Sequence, residues 1–334
     1  MMWFEALTGF REDSPTVVRD NIVIDGSTLL SLKNGQAYVL GCLETPTLKE
    51  LRGRVASLDL QPAQLSLREV IADVQGLHLH EENNGATFQV ASQFNLLEMV
   101  SPSITPEEGV DIYEDDLTQG PACAIAAGAG TIYRNYFVPV NGQVGQSASN
   151  QIDCLADIGA AMGNEDNRLW KMQNGYMMPS RSGLTEISER LENARDDDLD
   201  TLRKKLRVGV QWDTQVTLDK SDNVVTQVFC SALPVSYTHL PPSLWGGFAR
   251  LILEAAYEAT LCVALLNSVK TGNNKVYLTL LGGGAFGNDP AWISKAVRRC
   301  LGDYQMADLD IAFVSFRSPS KVVEEIITAQ RNDD

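Results

Sequence analysis

From residue 275 to residue 301 the chain reads KVYLTLLGGGAFGNDPAWISKAVRRCL. Residues 276–281 have the composition of a buried strand, and the residues from Pro290 onward that of a helix. Pro290 suits a first helical turn, where a missing N–H is harmless, and Asp289 or Asn288 can cap the free N–H groups. Between strand and helix stand Gly282, Gly283, Gly284, Ala285, Phe286 and Gly287. Side chains this small leave backbone N–H groups open and pointing one way, which suits an anion, most often a phosphate. The same residues would also serve an empty tight turn. Phe286 favours a ligand, because an aromatic ring amid glycines has little to pack on within the turn and could cover a ribose or base. A strand feeding a helix through such a turn places the chain in the α/β class.

The 334 residues suffice for one large or two modest domains, and the 44% hydrophobic and 21% charged content is that of a soluble globular protein. A net charge of −16 argues against direct nucleic-acid or anionic-membrane binding, which needs a basic surface. A small anionic ligand stays open, since a backbone nest does not depend on net charge. The six cysteines are scattered without a C-x-x-C pair and read as reduced core residues of a cytoplasmic protein. The first fifteen residues, MMWFEALTGFREDSP, do not have the pattern of a signal peptide. The apolar stretch 251–266 contains Glu254 and Glu258 and is too short to span a bilayer. Neither a metal nor a cofactor is expected: His78, His80 and His239 offer no third ligand, and G-x-S-x-G and P-loop patterns do not occur.

Taken in order, residues 1–60 read as a β-rich embellishment packed on the core, with strands near 21–24 and 36–40, and residues 61–334 as the main α/β domain. Spacing predicts a helix over 65–77 and a strand over 87–93 that leads into Phe94-Asn95. An acidic loop follows, carrying Glu107, Glu108, Asp111, Glu114, Asp115 and Asp116, either a solvated surface or part of a site. Thr118-Gln119-Gly120-Pro121 opens a helix of small residues over 122–131. Further expectations are a strand at 134–139, a helix at 151–162 and a strand with a turn at 170–176. Region 184–205 reads as a charged, amphipathic helical stretch with a solvated face. Strands at 207–217 and 224–232, a long helix at 244–267, and a last strand and helix at 309–315 and 321–329 complete the chain.

The run GGGAFGNDP, followed by a helix and the strand DLDIAFVSF, resembles the C-terminal motif of the poly(ADP-ribose) glycohydrolase branch of the macrodomain fold. In that branch a G-x-G-A-F-G-[GN]-[DN] loop wraps the diphosphate of ADP-ribose. Gly282, Gly284, Ala285, Phe286, Gly287, Asn288 and Asp289 match it position by position. The strand ending in Phe94-Asn95 is similar to the macrodomain strand whose final asparagine faces the distal ribose. The segment through Gln119-Gly120 stands where the family has its catalytic loop. There the family places a glycine triplet shortly before a Gln-Glu-Glu run, and residues 95–131 do not contain it.

The resemblance implies a macrodomain-like, three-layer α/β/α fold with a central mixed sheet. It implies a diphosphate laid across Gly283, Gly284, Ala285, Phe286 and Gly287, with Phe286 against a ribose and Asn95 on the distal ribose hydroxyls. Gly282, Asn288, Gln119 and Gly120 join the implied ligand-binding set. One carboxylate among Glu98, Glu107, Glu108, Asp115 and Asp116 would act as acid or base at the anomeric carbon. The implied partner is an ADP-ribose-like small molecule or an ADP-ribosylated macromolecule, bound and hydrolysed. The alternatives are a reader that binds without turnover, which the missing Gln-Glu-Glu run favours, and an interaction protein that keeps the fold.

Overall fold

A computed structural model describes residues 2–333. Its main sheet has seven strands: β1 (Cys42–Glu44), β2 (Ser66–Ile71), β3 (Thr87–Ala91), β4 (Gly209–Gln215), β5 (Val224–Cys230), β6 (Lys275–Leu278) and β7 (Asp310–Ser315). Their order across the sheet is β1-β4-β5-β3-β6-β7-β2. β5, β3, β6, β7 and β2 run parallel, and β4 is antiparallel to both its neighbours. The sheet is therefore mixed, and five adjacent parallel strands carry their carboxyl ends to one edge.

Helices cover both faces. Six are used below: α1 (Leu48–Ala56), α2 (Gln119–Ala126), α3 (Gly128–Tyr136), α4 (Pro242–Thr271), α5 (Pro290–Asp303) and α6 (Lys321–Asp333). Alternation along the strands divides the layers. Phe88 of β3 stacks on His78 with ring centroids 3.8 Å apart, whereas the Gln89 side chain turns the other way and donates to Thr260 of α4 (3.0 Å). On β5, Thr226 donates to Asn267 of α4 and Gln227 to the Cys123 carbonyl of α2. The architecture is the expected three-layer α/β/α sandwich. α4 begins with Pro242 at its first turn and stops at Gly272, which takes φ 78° as a left-handed C-terminal glycine.

Residues 1–60 supply two kinds of structure. Helices Trp3–Thr8 and Pro15–Asn21 and a three-stranded antiparallel sheet (Ile22–Asp25, Thr28–Ser31, Ala37–Val39) bury a small core of their own with α2 and α3. β1 instead pairs with β4 in the main sheet, and α1 packs on α4.

Several local expectations are corrected. The 65–77 stretch is not one helix: β2 pairs parallel with β7, and a short helix follows at Val74–Leu79, capped by Asp73. Leu67, Val70, Ile71 and Val74 fit a helical period, but the run is short, β-branched at Val70 and Ile71, and Arg68 pairs with Asp310 across the strands at 2.8 Å. The 134–139 strand is also replaced, since Arg134 lies in α3. α2 and α3 are separated at Ala127 because Thr217 enters the break, its N–H donating to Ala126 O (2.8 Å) and its hydroxyl accepting from Gly128 N (3.0 Å). Region 184–205 is more than a solvated face. Leu184, Ile187 and Leu191 are buried, Arg203 pairs with Glu254 at 2.6 Å, and Asp200 shares Arg52 with the buried Glu258. Five cysteines are buried, but Cys42 is exposed. Among the described residues no helix is long and apolar enough to cross a membrane, and no group of three or more His, Cys, Asp or Glu could hold a metal ion.

Candidate active site

β6 ends at Leu278, the chain turns, and Asp289 caps α5 by accepting from Ala291 N at 2.7 Å. Two glycines of the turn are required by geometry. Gly282 has φ 75°, and a Cβ there would lie 2.4 Å from Ala232 Cβ; Gly287 has φ 68°, and its Cβ would lie 1.8 Å from Ser236 Oγ. Asn288 braces the turn through its N–H to Gly282 O (2.9 Å) and its Nδ2 to Leu233 O (2.8 Å). Ser236 N donates to Phe286 O (3.1 Å). Gly283 N and Gly287 N are used internally, on Leu280 O and Gly284 O. Among the described residues the N–H groups of Gly284, Ala285 and Phe286 donate to nothing, so three successive donors stand open at the edge of the sheet.

Phe286, with little to pack on within the turn, packs on two rings from outside it. Its ring lies 5.3 Å from Tyr176 and 5.5 Å from Tyr237, which are 5.0 Å from each other. The three rings form one wall of a cleft of about 520 Å³ over the carboxyl ends of β3, β5 and β6. That is where α/β sheets place their ligands.

Across the cleft from the turn is the segment after β3. Its backbone is held almost completely. Gln93 bonds Met99 through both ends of its amide, to N (2.9 Å) and O (3.2 Å). Leu96 takes φ 65°, unusual for a branched residue, and its carbonyl accepts from Arg134 Nε (3.2 Å). Glu98 N donates to the Tyr113 hydroxyl (2.9 Å), and Tyr176 donates to Met99 O (2.5 Å). In this frame one side chain is left without its due. Glu98 is 4% exposed, lines the cleft, and its Oε1 has no hydrogen-bond partner. Burial pushes its carboxyl well above the usual carboxylate range, and Asp116 adds to the rise against the opposing pull of Arg134. Burial thus favours the protonated form of Glu98 over its carboxylate.

Arg134 is itself buried, with its guanidinium carbon 3.7 Å above the centre of the Phe229 ring and its Nη2 on Thr131 (2.9 Å). Burial lowers its pKa. Gly120 explains the close fit of the α2 start: a Cβ there would lie 2.0 Å from Ala91 O and 2.2 Å from Glu98 Oε2.

The other expected residues separate clearly. Asp115 and Asp116 line the cleft, and Asp116 accepts from Thr118 N (2.9 Å). Gln119 also lines it, but its amide is engaged with β3, donating to Gln89 O (2.8 Å) and accepting from Ala91 N (2.9 Å). Glu107 instead binds Ala148 N (2.9 Å), and Glu108 closes a capping box with Thr105. Neither lines the cleft. Asn95 is fully buried behind it, donating to Gln151 Oε1 (2.9 Å) and accepting from Leu97 N (3.2 Å). The acidic loop is tied down rather than free. Asp111 and Glu114 accept from the N–H groups of Phe4 (3.2 Å) and Trp3 (2.7 Å), and Glu12 accepts from Val110 N and Asp111 N. A second lobe of about 1000 Å³ continues past Asp116, Thr118, Gln119, Thr279, Leu280 and Gly284 toward Phe316 and Arg317 at the end of β7.

Tyr113, Arg134, Tyr176, Tyr237 and Glu12 escaped the sequence reading. Arg134 carried a usable signal, a lone cation beside a small-residue helix. The others announce themselves only through contacts distant in sequence.

No protein-family model matches the chain, and no curated protein matches it. Solved structures do. The poly(ADP-ribose) glycohydrolase from Thermomonospora curvata bound to the inhibitor ADP-HPD is 10% identical, with a TM-score of 0.47, over 94% of this chain and 95% of that one. A second structure of the Thermomonospora curvata enzyme is 11% identical, with a TM-score of 0.46, over 95% of each chain. The poly(ADP-ribose) glycohydrolase from Deinococcus radiodurans in complex with ADP-ribose is 11% identical, with a TM-score of 0.43, over 97% of this chain and 99% of that one. At such identities the roles of residues in the cleft rest on its own geometry.

Proposed function

We propose that the cleft binds an ADP-ribosyl group and hydrolyses its anomeric bond. The observation that carries this reading is Glu98, a buried carboxyl with an unpartnered oxygen, held in a strained loop across from three open backbone donors. The N–H groups of Gly284, Ala285 and Phe286 receive the diphosphate. The rings of Phe286, Tyr176 and Tyr237 give the ribose an apolar wall. Glu98 donates its proton to the leaving oxygen as the bond from that oxygen to the anomeric carbon breaks through an oxocarbenium-like state. Water adds to the carbon and gives up its proton to Asp116, a carboxylate that lines the cleft beside Glu98. Gln119 and Gly120 set the position of Glu98 and of the α2 start. Asn95 acts behind the cleft, fixing the loop, rather than on a sugar.

Release of free ADP-ribose from a mono-ADP-ribosylated protein tests the reading. Glu98→Gln is expected to bind ADP-ribose within about threefold of the parent and to lose about 10²- to 10⁴-fold in turnover. Full activity in that variant, or failure of the parent to bind ADP-ribose, would remove the proposal. The reader alternative is favoured by Gln119-Gly120-Pro121 standing at the α2 start without a glutamate; binding with no ADP-ribose released by the parent would establish it.

A further inference from the structure

We infer that the site selects an ADP-ribosyl group borne on a basic peptide over one within a poly(ADP-ribose) chain. The inference rests on the functional reading above and concerns the charge of what lies beyond the bound group. The two lobes are lined by Asp73, Glu114, Asp115 and Asp116 besides Glu98. Among the described residues lining them, Arg317 is the one basic side chain, and it lies over the Phe316 ring, 4.8 Å from its centre. Asp73, Glu114 and Asp116 accept backbone N–H groups, and none of the four enters an ion pair among the described residues. Their charge stays uncompensated, on a chain of net charge −16.

The unpartnered Glu98 oxygen, on a side chain 4% exposed, marks where the reacting group sits, and the acidic residues surround its exits. One glycine turn offers donors for one diphosphate. A polymer would place further diphosphates along the walls, with Arg317 alone among the described lining residues to receive them, whereas proteins that hold polyanions meet the phosphates with many basic side chains. A peptide rich in lysine or arginine meets the reverse situation. Uncompensated carboxylates in a cleft focus the field and raise the encounter rate of a cation, an effect that salt removes over a screening length of about 8 Å at physiological strength.

The test uses the full chain carrying Glu98→Gln, so that turnover does not consume the ligands, with calorimetric Kd values for four probes. These are ADP-ribose, a peptide with one ADP-ribosyl group flanked by lysines, the same peptide flanked by glutamates, and poly(ADP-ribose). The lysine peptide is expected to bind at least about tenfold tighter than the glutamate peptide at low salt, with the ratio collapsing at about 0.5 M salt, roughly three times physiological strength. Poly(ADP-ribose) is expected to bind no tighter per chain end than ADP-ribose. Asp73→Asn, at a position that lines only the second lobe and with the helix-capping acceptor kept, should narrow the peptide ratio and leave the Kd for ADP-ribose unchanged. Equal affinity for the two peptides, or preference for the polymer, would overturn this inference alone. Absence of ADP-ribose binding would overturn both it and the functional reading.

Discussion

The two walls of the cleft are built on opposite principles. In the glycine turn the side chains are almost nothing, the bracing is done by Asn288 and Ser236, and what remains open is backbone: the N–H groups of Gly284, Ala285 and Phe286. In the segment after β3 the backbone is nearly all engaged, by Gln93, Tyr113, Arg134 and Tyr176, and what remains open is one side-chain oxygen of Glu98. The first wall offers fixed partial charges that do not titrate, suited to holding a phosphate. The second offers a proton in a place that water cannot easily solvate, suited to donating it. On the proposed function, binding and chemistry fall to separate segments. Substitutions should be able to remove either one and spare the other.

The comparison can be broken most forcefully inside the glycine turn, where neighbouring glycines have unequal duties. Gly282→Ala puts a Cβ 2.4 Å from Ala232 Cβ and 2.7 Å from Asn288 Nδ2 at a φ of 75°. It is expected to cost about 2–4 kcal/mol, by strain and overpacking together, and to weaken ADP-ribose binding as the brace moves. Gly284→Ala meets nothing within 4 Å and has no positive φ. Its stability should stay within about 0.5 kcal/mol of the parent. Denaturant unfolding of the two variants checks the difference. Equal losses would show that the turn is not held by the contacts described.

The same contrast explains what could be read from the sequence. The glycine turn was legible because its function is written in composition: small residues between a strand and a capped helix leave few conformations. The long helix α4 and strands β3 to β7 were legible for a similar reason, since apolar periodicity and turn residues are local signals. Glu98 could be nominated but not separated from Glu107 or Asp115. What distinguishes it is burial, and burial here comes from Gly120, Tyr113 and Arg134, all brought in from elsewhere in the chain. The partners of Phe286 outside the turn were not legible, because Tyr176 and Tyr237 are far from it in sequence. β2 was misread because six residues can satisfy a helical and a strand period at once.

The second way to sharpen the comparison is pH. The glycine turn is braced by amides and should be indifferent to it, whereas the segments behind Glu98 are held partly by titrating groups. Glu12 anchors the acidic loop through Val110 N (2.8 Å), Asp111 N (2.6 Å) and the Tyr136 hydroxyl (2.7 Å), and burial pushes its pKa up to about 7 against those hydrogen bonds. A folded pKa above the unfolded value of 4.5 means that the fold favours the protonated form. Its contribution is whole below pH 4.5 and fades as pH rises through about 7. Glu98, raised in the same direction, adds a loss of the same sign as pH rises. Between pH 4.5 and 7.5 the parent should lose about 2 kcal/mol relative to Glu12→Gln, read from denaturant midpoints at each pH. A parent that instead gains on the variant as pH rises would reverse the sign and show that the three donors outweigh burial.

The smallest expected effect is the most selective check on which carboxylate matters. Glu107 and Glu98 sit nine residues apart on the same connection, and sequence alone ranks them together. The fold sends them different ways: Glu107 is exposed and accepts from Ala148 N at 2.9 Å and 3.0 Å through its two oxygens, away from the cleft. An exposed bond of this kind, replaced by an amide of the same shape that can still accept, changes stability by no more than about 0.5 kcal/mol. Glu107→Gln should therefore leave both ADP-ribose affinity and any release of ADP-ribose at the parent level, in the assay in which Glu98→Gln abolishes release. If Glu107→Gln reduced turnover as strongly as Glu98→Gln, burial would not be what selects the acid. The division of labour between the two walls would then have to be redrawn around the acidic loop.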